Sequence, residues 1–149
     1  MLLKEICTTD VAFCDRDTTI VQAAALMRSK HTGDLVVVDD AVDECAPVGV
    51  ITDRDIVIKV LGDELDPRRV TVGQVMRAPI VVARDSEDTS EAVSRMRTHG
   101  VRRLPITSAS GRLVGIVTLD DLLKRLVSEA DALLEVVGKE QDREHRTCR

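Results

Sequence analysis

The chain is predicted to be an α/β protein (mixed α+β) built from two β-α-β-β-α repeats related by a pseudo-two-fold axis. Three observations predict this. The apolar residues, 44% of the chain, are nearly all aliphatic, with one Phe (Phe13) and no Trp or Tyr, which suits sheet covered by helices. The stretch GVITDRDIV at 49–57 returns as GIVTLDDLL at 115–123, 66 positions on (115 − 49), with Gly49/Gly115, Thr52/Thr118 and Asp55/Asp121 identical. Upstream the match continues at an offset of 69 (92 − 23): Ala23/Ala92, Met27/Met96 and Arg28/Arg97 are identical, and Leu35/Leu104 follow in register. A repeat of about 55–60 residues buries little surface alone, so two repeats sharing a core are expected.

Each repeat opens on a short lead-in helix, where Leu3, Ile6 and Cys7 face Val72, Val75 and Met76. A strand follows (Val11–Cys14; Ile80–Ala83), then a helix with apolar residues at helical spacing (Thr19–Lys30; Thr89–His99). Next come a strand (Leu35–Asp39; Leu104–Thr107), a short loop, a second strand (Pro47–Thr52; Leu113–Thr118) and a closing helix. The helical connection lets the first two strands lie parallel, and the short one makes the next pair antiparallel. Three extra residues in the first repeat fall in the polar loop Asp39–Pro47. The first closing helix ends near Gly62, and Pro67 marks the linker. The second runs from Asp120 towards Val137 with a leucine-rich stripe, and the charged tail Gly138–Arg149 either extends it or is disordered.

Composition excludes several function classes. The net charge is −5, which repels phosphate backbones, and a chain without aromatic platforms is a poor reader of single strands. No nucleic-acid partner is therefore expected. No run approaches the roughly 18–20 apolar residues of a membrane span, and Lys4 and Glu5 interrupt the place of a signal peptide's apolar core. No membrane partner and a cytoplasmic location are expected. The four cysteines lack C-x-x-C spacing, and no metal site is assigned; His145 and Cys148 form an isolated pair. Cys14 and Cys45 sit at what should be the same sheet edge, so a disulfide between them is a candidate beside separate thiols. His31 and His99 read as helix C-terminal residues, and Met27 and Met96 as core.

Thr52 and Asp55 have the spacing of a helix capping box, as do Thr118 and Asp121. The same atoms suit a ligand: a carboxylate accepts from vicinal hydroxyls, and a helix N-terminus favours an anion. Capping explains one copy; agreement of two diverged copies at Gly, Thr and Asp favours the ligand.

The duplicated unit, whose last strand ends Gly-x-x-Thr-x-x-Asp, resembles a tandem pair of CBS domains, often called a Bateman module. T-D-R-D-I-V at 52–57 resembles small stand-alone bacterial members, and V-R-R-L-P-I at 101–106 matches the family's second landmark. The resemblance implies repeat 1 at 3–62, a linker at 63–71, repeat 2 at 72–127 and a C-terminal helix extension with charged tail at 128–149. It implies clefts between the repeats that bind AMP, ADP or ATP as regulatory ligand, with no obligatory cofactor. Asp55 and Asp121 would hold ribose, Thr52 and Thr118 ribose or phosphate, and Leu104 and Pro105 would wall the adenine.

The repeats differ in charge. Arg54, Arg102 and Arg103 in one cleft, against Asp34 and Asp120 in the other, would make the Thr52/Asp55 cleft the tighter phosphate site; solvated surface charge is the competing account of Arg102 and Arg103. The expected function is non-enzymatic: a homodimeric sensor, paired through the helices after Asp55 and Asp121, that signals to a protein effector in trans. The alternatives are a scaffold with empty clefts, or a binder of S-adenosylmethionine or NAD. No Ser-His-Asp or Cys-His arrangement and no phosphate loop is present in the sequence.

Overall fold

The computed structural model describes residues 1–39 and 45–147. Residues 40–44 of the predicted polar loop, and Cys148, lie outside the described residues. The chain divides into two compact units, Met1–Val117 and Thr118–Arg149.

In the first unit a 3-10 turn at Leu3–Glu5 precedes β1 (Phe13–Asp15), α1 (Ile20–Lys30), β2 (Asp34–Asp39) and β3 (Ala46–Thr52). Helix α2 (Asp53–Asp55) continues as a π-helix over Ile56–Leu61, and α3 (Val72–Val75) opens the second repeat. Strand β4 (Ala83–Arg84), α4 (Thr89–His99), β5 (Arg103–Thr107) and β6 (Leu113–Thr118) complete it. The sheets have orders β1-β2-β3 and β4-β5-β6. As expected, β1 runs parallel and β3 antiparallel to β2, and β4 runs parallel to β5. Central strand β2 is buried from Asp34 to Val38, as a strand flanked on both sides and covered by helices must be.

Local chemistry places the helices. The Thr19 hydroxyl accepts from Gln22 N at 3.3 Å while Gln22 Oε1 accepts from Thr19 N at 2.9 Å, a reciprocal cap that starts α1. Asp88 and Glu91 do the same for α4. The two helices end alike, on left-handed residues at equivalent positions: His31 (φ 51°) and Gly100 (φ 64°). Met27 and Met96 are buried, as core residues should be.

The lead-ins are exchanged, which the sequence does not reveal. The first docks on repeat 2: Leu3 N donates to Glu87 O (2.9 Å) and Thr8 N to Ile116 O (2.9 Å). The second docks on repeat 1: Val72 N donates to Thr18 O (2.8 Å) and Val50 N to Arg77 O (3.1 Å). Val72 and Val75 join Ile20, Leu35, Ile51 and Val60 in one core cluster. The exchange shortens two predicted strands. Residues 9–12 and 78–82 carry the chain from one repeat to the other, so β1 begins at Phe13 rather than Val11, and β4 at Ala83 rather than Ile80.

The exchange also explains the repeated glycines. A Cβ on Gly49 would lie 2.7 Å from Met76 Sδ and 2.9 Å from Arg77 O; one on Gly115 would lie 2.7 Å from Cys7 Sγ and 3.1 Å from Thr8 O. Each glycine sits where the other repeat's lead-in crosses its strand. The predicted linker is likewise tied down: Val70 O accepts from Ile20 N (3.0 Å) and Pro67 O from Val21 N (3.2 Å), satisfying first-turn donors of α1.

In the second unit, α5 spans Leu119–Thr147. It runs beyond the Val137 end read from the apolar stripe and takes in the charged segment after Gly138, so extension is the outcome for residues 138–147.

Candidate functional site

The predicted hydroxyl–carboxylate couples are both formed. Thr52 leaves β3 in extended conformation and caps the helix that follows. Its hydroxyl accepts from Asp55 N (3.1 Å) and donates to Asp55 Oδ2 (2.9 Å), and its own N–H donates to the same oxygen (3.1 Å). In the second unit Thr118 and Asp121 repeat the pattern at 3.2, 2.6 and 3.0 Å. The capping box therefore exists twice.

The two carboxylates differ in their surroundings. Asp55 is 2% exposed. Its Oδ1 accepts from Arg77 Nε and Nη2, both at 3.0 Å, and lies 3.4 Å from Lys59 Nζ. Burial raises its pKa, but the bonds from Thr52 and Arg77, with the Lys59 charge, outweigh burial and hold the carboxyl below its ordinary value. Asp121 is half-buried. The residue in Arg77's place in the other lead-in is Thr8, and Arg125, in Lys59's place, pairs with Glu129 at 3.2 Å. One couple is thus built with two cations against it.

Sequence reasoning missed Arg77 and Lys59. Lys59 was legible, four residues after Asp55 on a helix. Arg77 was not, because the lead-in exchange brings it to Asp55 from 22 positions away.

The other predicted residues are placed as follows. Arg103 does reach across to repeat 1, but its partner there is Asp34, buried beneath it and also bonded by the Thr32 hydroxyl at 3.0 Å. These are equivalent positions of the two repeats (103 − 34 = 69). The pairing corrects the expectation that Arg103 adds an unopposed cation to the Asp55 cleft and leaves Asp34 to the other. Arg102 and Arg54 are exposed. Leu104 is fully buried and Pro105 is buried in β5, so the adenine wall expected there has no surface in this conformation. An aliphatic groove of about 540 Å³ is instead lined by Arg16, Pro47, Val48, Ala78, Pro79 and Ile80, and Ala78 directly follows Arg77.

Cys14 and Cys45 are thiols rather than a disulfide, and both line one open groove of about 630 Å³. Burial, with Asp15 alongside, pushes the Cys14 thiol up to about 11 despite a hydrogen bond with Thr18, which leaves it mostly protonated near neutrality. Among the described residues no group of three or more His, Cys, Asp or Glu side chains could hold a metal. None of the described helices is long and apolar enough to cross a membrane.

Comparison with known proteins agrees with this architecture. The CBS domain family matches residues 3–62 and 72–128. The chain belongs to the CBS-domain family. It is 35% identical over 127 residues to Hypoxic response protein 1 of Mycobacterium tuberculosis, covering 85% of this chain and 86% of that one. It is 34% identical over 130 residues to the CBS domain-containing protein YhcV of Bacillus subtilis, covering 87% and 89%. A 38% identical protein of Methanopyrus kandleri, of uncharacterised function, is matched over 80% of this chain but 60% of its own length.

Among solved structures, Hypoxic Response Protein I with two coordinated zinc ions superimposes with a TM-score of 0.74 at 34% identity, covering 83% of this chain and 98% of that one. A CBS domain pair in complex with 5′-methylthioadenosine and S-adenosyl-L-methionine shares the fold, with a TM-score of 0.73 at 23% identity over 87% and 98%. The two sheet-and-helix repeats seen here are thus a CBS pair.

Proposed function

We propose that this CBS pair is a non-enzymatic cytoplasmic sensor that binds an adenosine-containing ligand and signals, as a homodimer, to a protein effector in trans. AMP, ADP or ATP is the leading ligand class; S-adenosylmethionine and NAD are the alternatives. The repeats are 3–62 and 72–127. The observation that carries the reading is the buried Thr52–Asp55 couple with Arg77 and Lys59 on its outer oxygen. A single buried carboxylate facing two cations leaves a surplus positive charge at a helix N-terminus, which suits a phosphate. Ribose hydroxyls donating to Asp55 would replace the Arg77 bonds and release that guanidinium to the phosphate. Arg54 and Arg102 are secondary contacts in this reading, and Thr118 with Asp121 is a second, weaker couple of its own. The purine seat is the aliphatic groove beginning at Ala78 rather than Leu104 and Pro105.

The scaffold reading also has an observation in its favour: Asp55 already uses both oxygens within the chain. A thermal-shift panel with AMP, ADP, ATP, S-adenosylmethionine and NAD separates the two. Ligand at 100 times its Kd raises stability by about 2.7 kcal/mol. A shift with wild type that disappears in Asp55→Asn supports the sensor; no shift with any of the five supports the scaffold.

A further inference from the structure

We propose that the groove beside β1 is a docking pocket for an arginine side chain of a partner protein. The two repeats differ there in a way that points to the occupant. In repeat 2, Arg95 of α4 turns back onto the chain entering β4. Its Nη1 donates to Val82 O, and its Nη2 lies 2.9 Å from Glu87 Oε2, an ionic contact without a directed hydrogen bond. At the offset of 69, the equivalent residues of repeat 1 are Phe13 (82 − 69), Thr18 (87 − 69) and Leu26 (95 − 69). All three line the open groove of about 630 Å³, a volume in the usual range of a ligand pocket. Repeat 1 therefore keeps the seat and lacks the guanidinium that fills it in repeat 2.

The lining of the seat suits a cation from outside. Asp15 and Asp17 stand in the groove where repeat 2 has Arg84 and Ser86. Arg16, between them in sequence, is turned away to Asp39, with Nε donating to Oδ2 at 2.9 Å, and no Lys or Arg lines the groove. Asp15 holds its turn through Oδ1 alone, which accepts from Asp17 N (2.9 Å), Thr18 N (2.8 Å) and the Thr18 hydroxyl (3.0 Å). Its Oδ2 is left for a ligand. The single Phe of a chain without Trp or Tyr is half-exposed in the same groove. A guanidinium stacks on an aromatic face while its edge donates to carboxylates, which a compact ammonium does less well. Free arginine fits poorly, because it brings a carboxylate of its own and the groove offers that group no cation. An arginine within a chain presents the guanidinium alone. The occupant rests on the trans effector proposed above; the Asp55 couple takes no part in it.

Nitrogen–proton correlation NMR of the full chain, without nucleotide and titrated with N-acetyl-L-argininamide, tests this. The amides of residues 13–18 and of Leu26 should shift together and saturate. N-acetyl-L-lysinamide and free L-arginine should bind at least about threefold more weakly. Phe13→Val, which installs the residue of repeat 2, should weaken binding about threefold, and Asp17→Asn should do the same by removing a flanking charge. Leu26→Arg supplies the guanidinium from within, as Arg95 does, and should weaken binding at least about tenfold. Amides that do not move overturn the pocket and leave the sensor reading, which the nucleotide panel tests, untouched. An equal response to the lysine compound overturns the guanidinium assignment. Tighter binding of free L-arginine overturns a partner chain as the source. Binding undiminished in both Leu26→Arg and Phe13→Val overturns the seat.

Discussion

Asp55 is the residue on which folding and ligand chemistry meet. It caps a helix through Thr52, and its second oxygen is held by Arg77 and Lys59. Thr52→Ala removes the capping hydroxyl and should cost about 1 kcal/mol. Arg77→Ala leaves a buried carboxylate with one cation fewer; because Arg77 is 59% exposed, solvent screening limits the loss to about 1 kcal/mol. Urea denaturation measures both. The folded pKa of Asp55 is lowered, so its contribution is complete above the unfolded value near pH 4 and is lost as pH falls through the folded value. Asp55→Asn should therefore flatten the acid limb of a stability–pH curve measured from about pH 5 down to about pH 2. A variant with the wild-type slope would show that another carboxylate sets that limb.

At the scale of elements, repetition makes the sequence interpretable and the exceptions informative. Equivalent helix ends are closed by Gly100 and by His31, both left-handed. A side chain there carries a steric cost that glycine avoids, so His31→Gly should stabilise the chain by about 0.5–1 kcal/mol in thermal denaturation. Gly49 and Gly115 act on a different element, the crossing lead-in. Alanine at either would press on lead-in atoms at 2.7 Å, with backbone at 2.9 and 3.1 Å behind them. Each substitution should destabilise by about 1–3 kcal/mol, the usual cost of overpacking. A neutral effect in calorimetric melting would mean that the lead-ins move aside freely.

Over the whole molecule, the two Thr–Asp couples share geometry but not charge. The first faces Arg77 and Lys59, whereas the residues equivalent to these in sequence are Thr8 and Arg125, the latter paired with Glu129. Titration calorimetry with AMP should accordingly resolve unequal sites, with Asp55→Asn removing the tighter and Asp121→Asn the weaker. Equal sites would place the affinity in groups common to both repeats.

The sequence by itself determined the duplication, the order and type of nearly every element, and both Thr–Asp couples. Periodicity, capping spacing and turn residues are local signals that each repeat states independently, so agreement between copies reinforced them. Only the tertiary structure decided which lead-in serves which repeat, and with it Arg77 on Asp55, Arg103 on Asp34 and the burial of Leu104. The helix running to Thr147 likewise exceeded its apolar pattern. Exchange of the lead-ins preserves every local pattern, since each core receives equivalent apolar residues either way; partners 22 and 69 positions apart are chosen by packing alone.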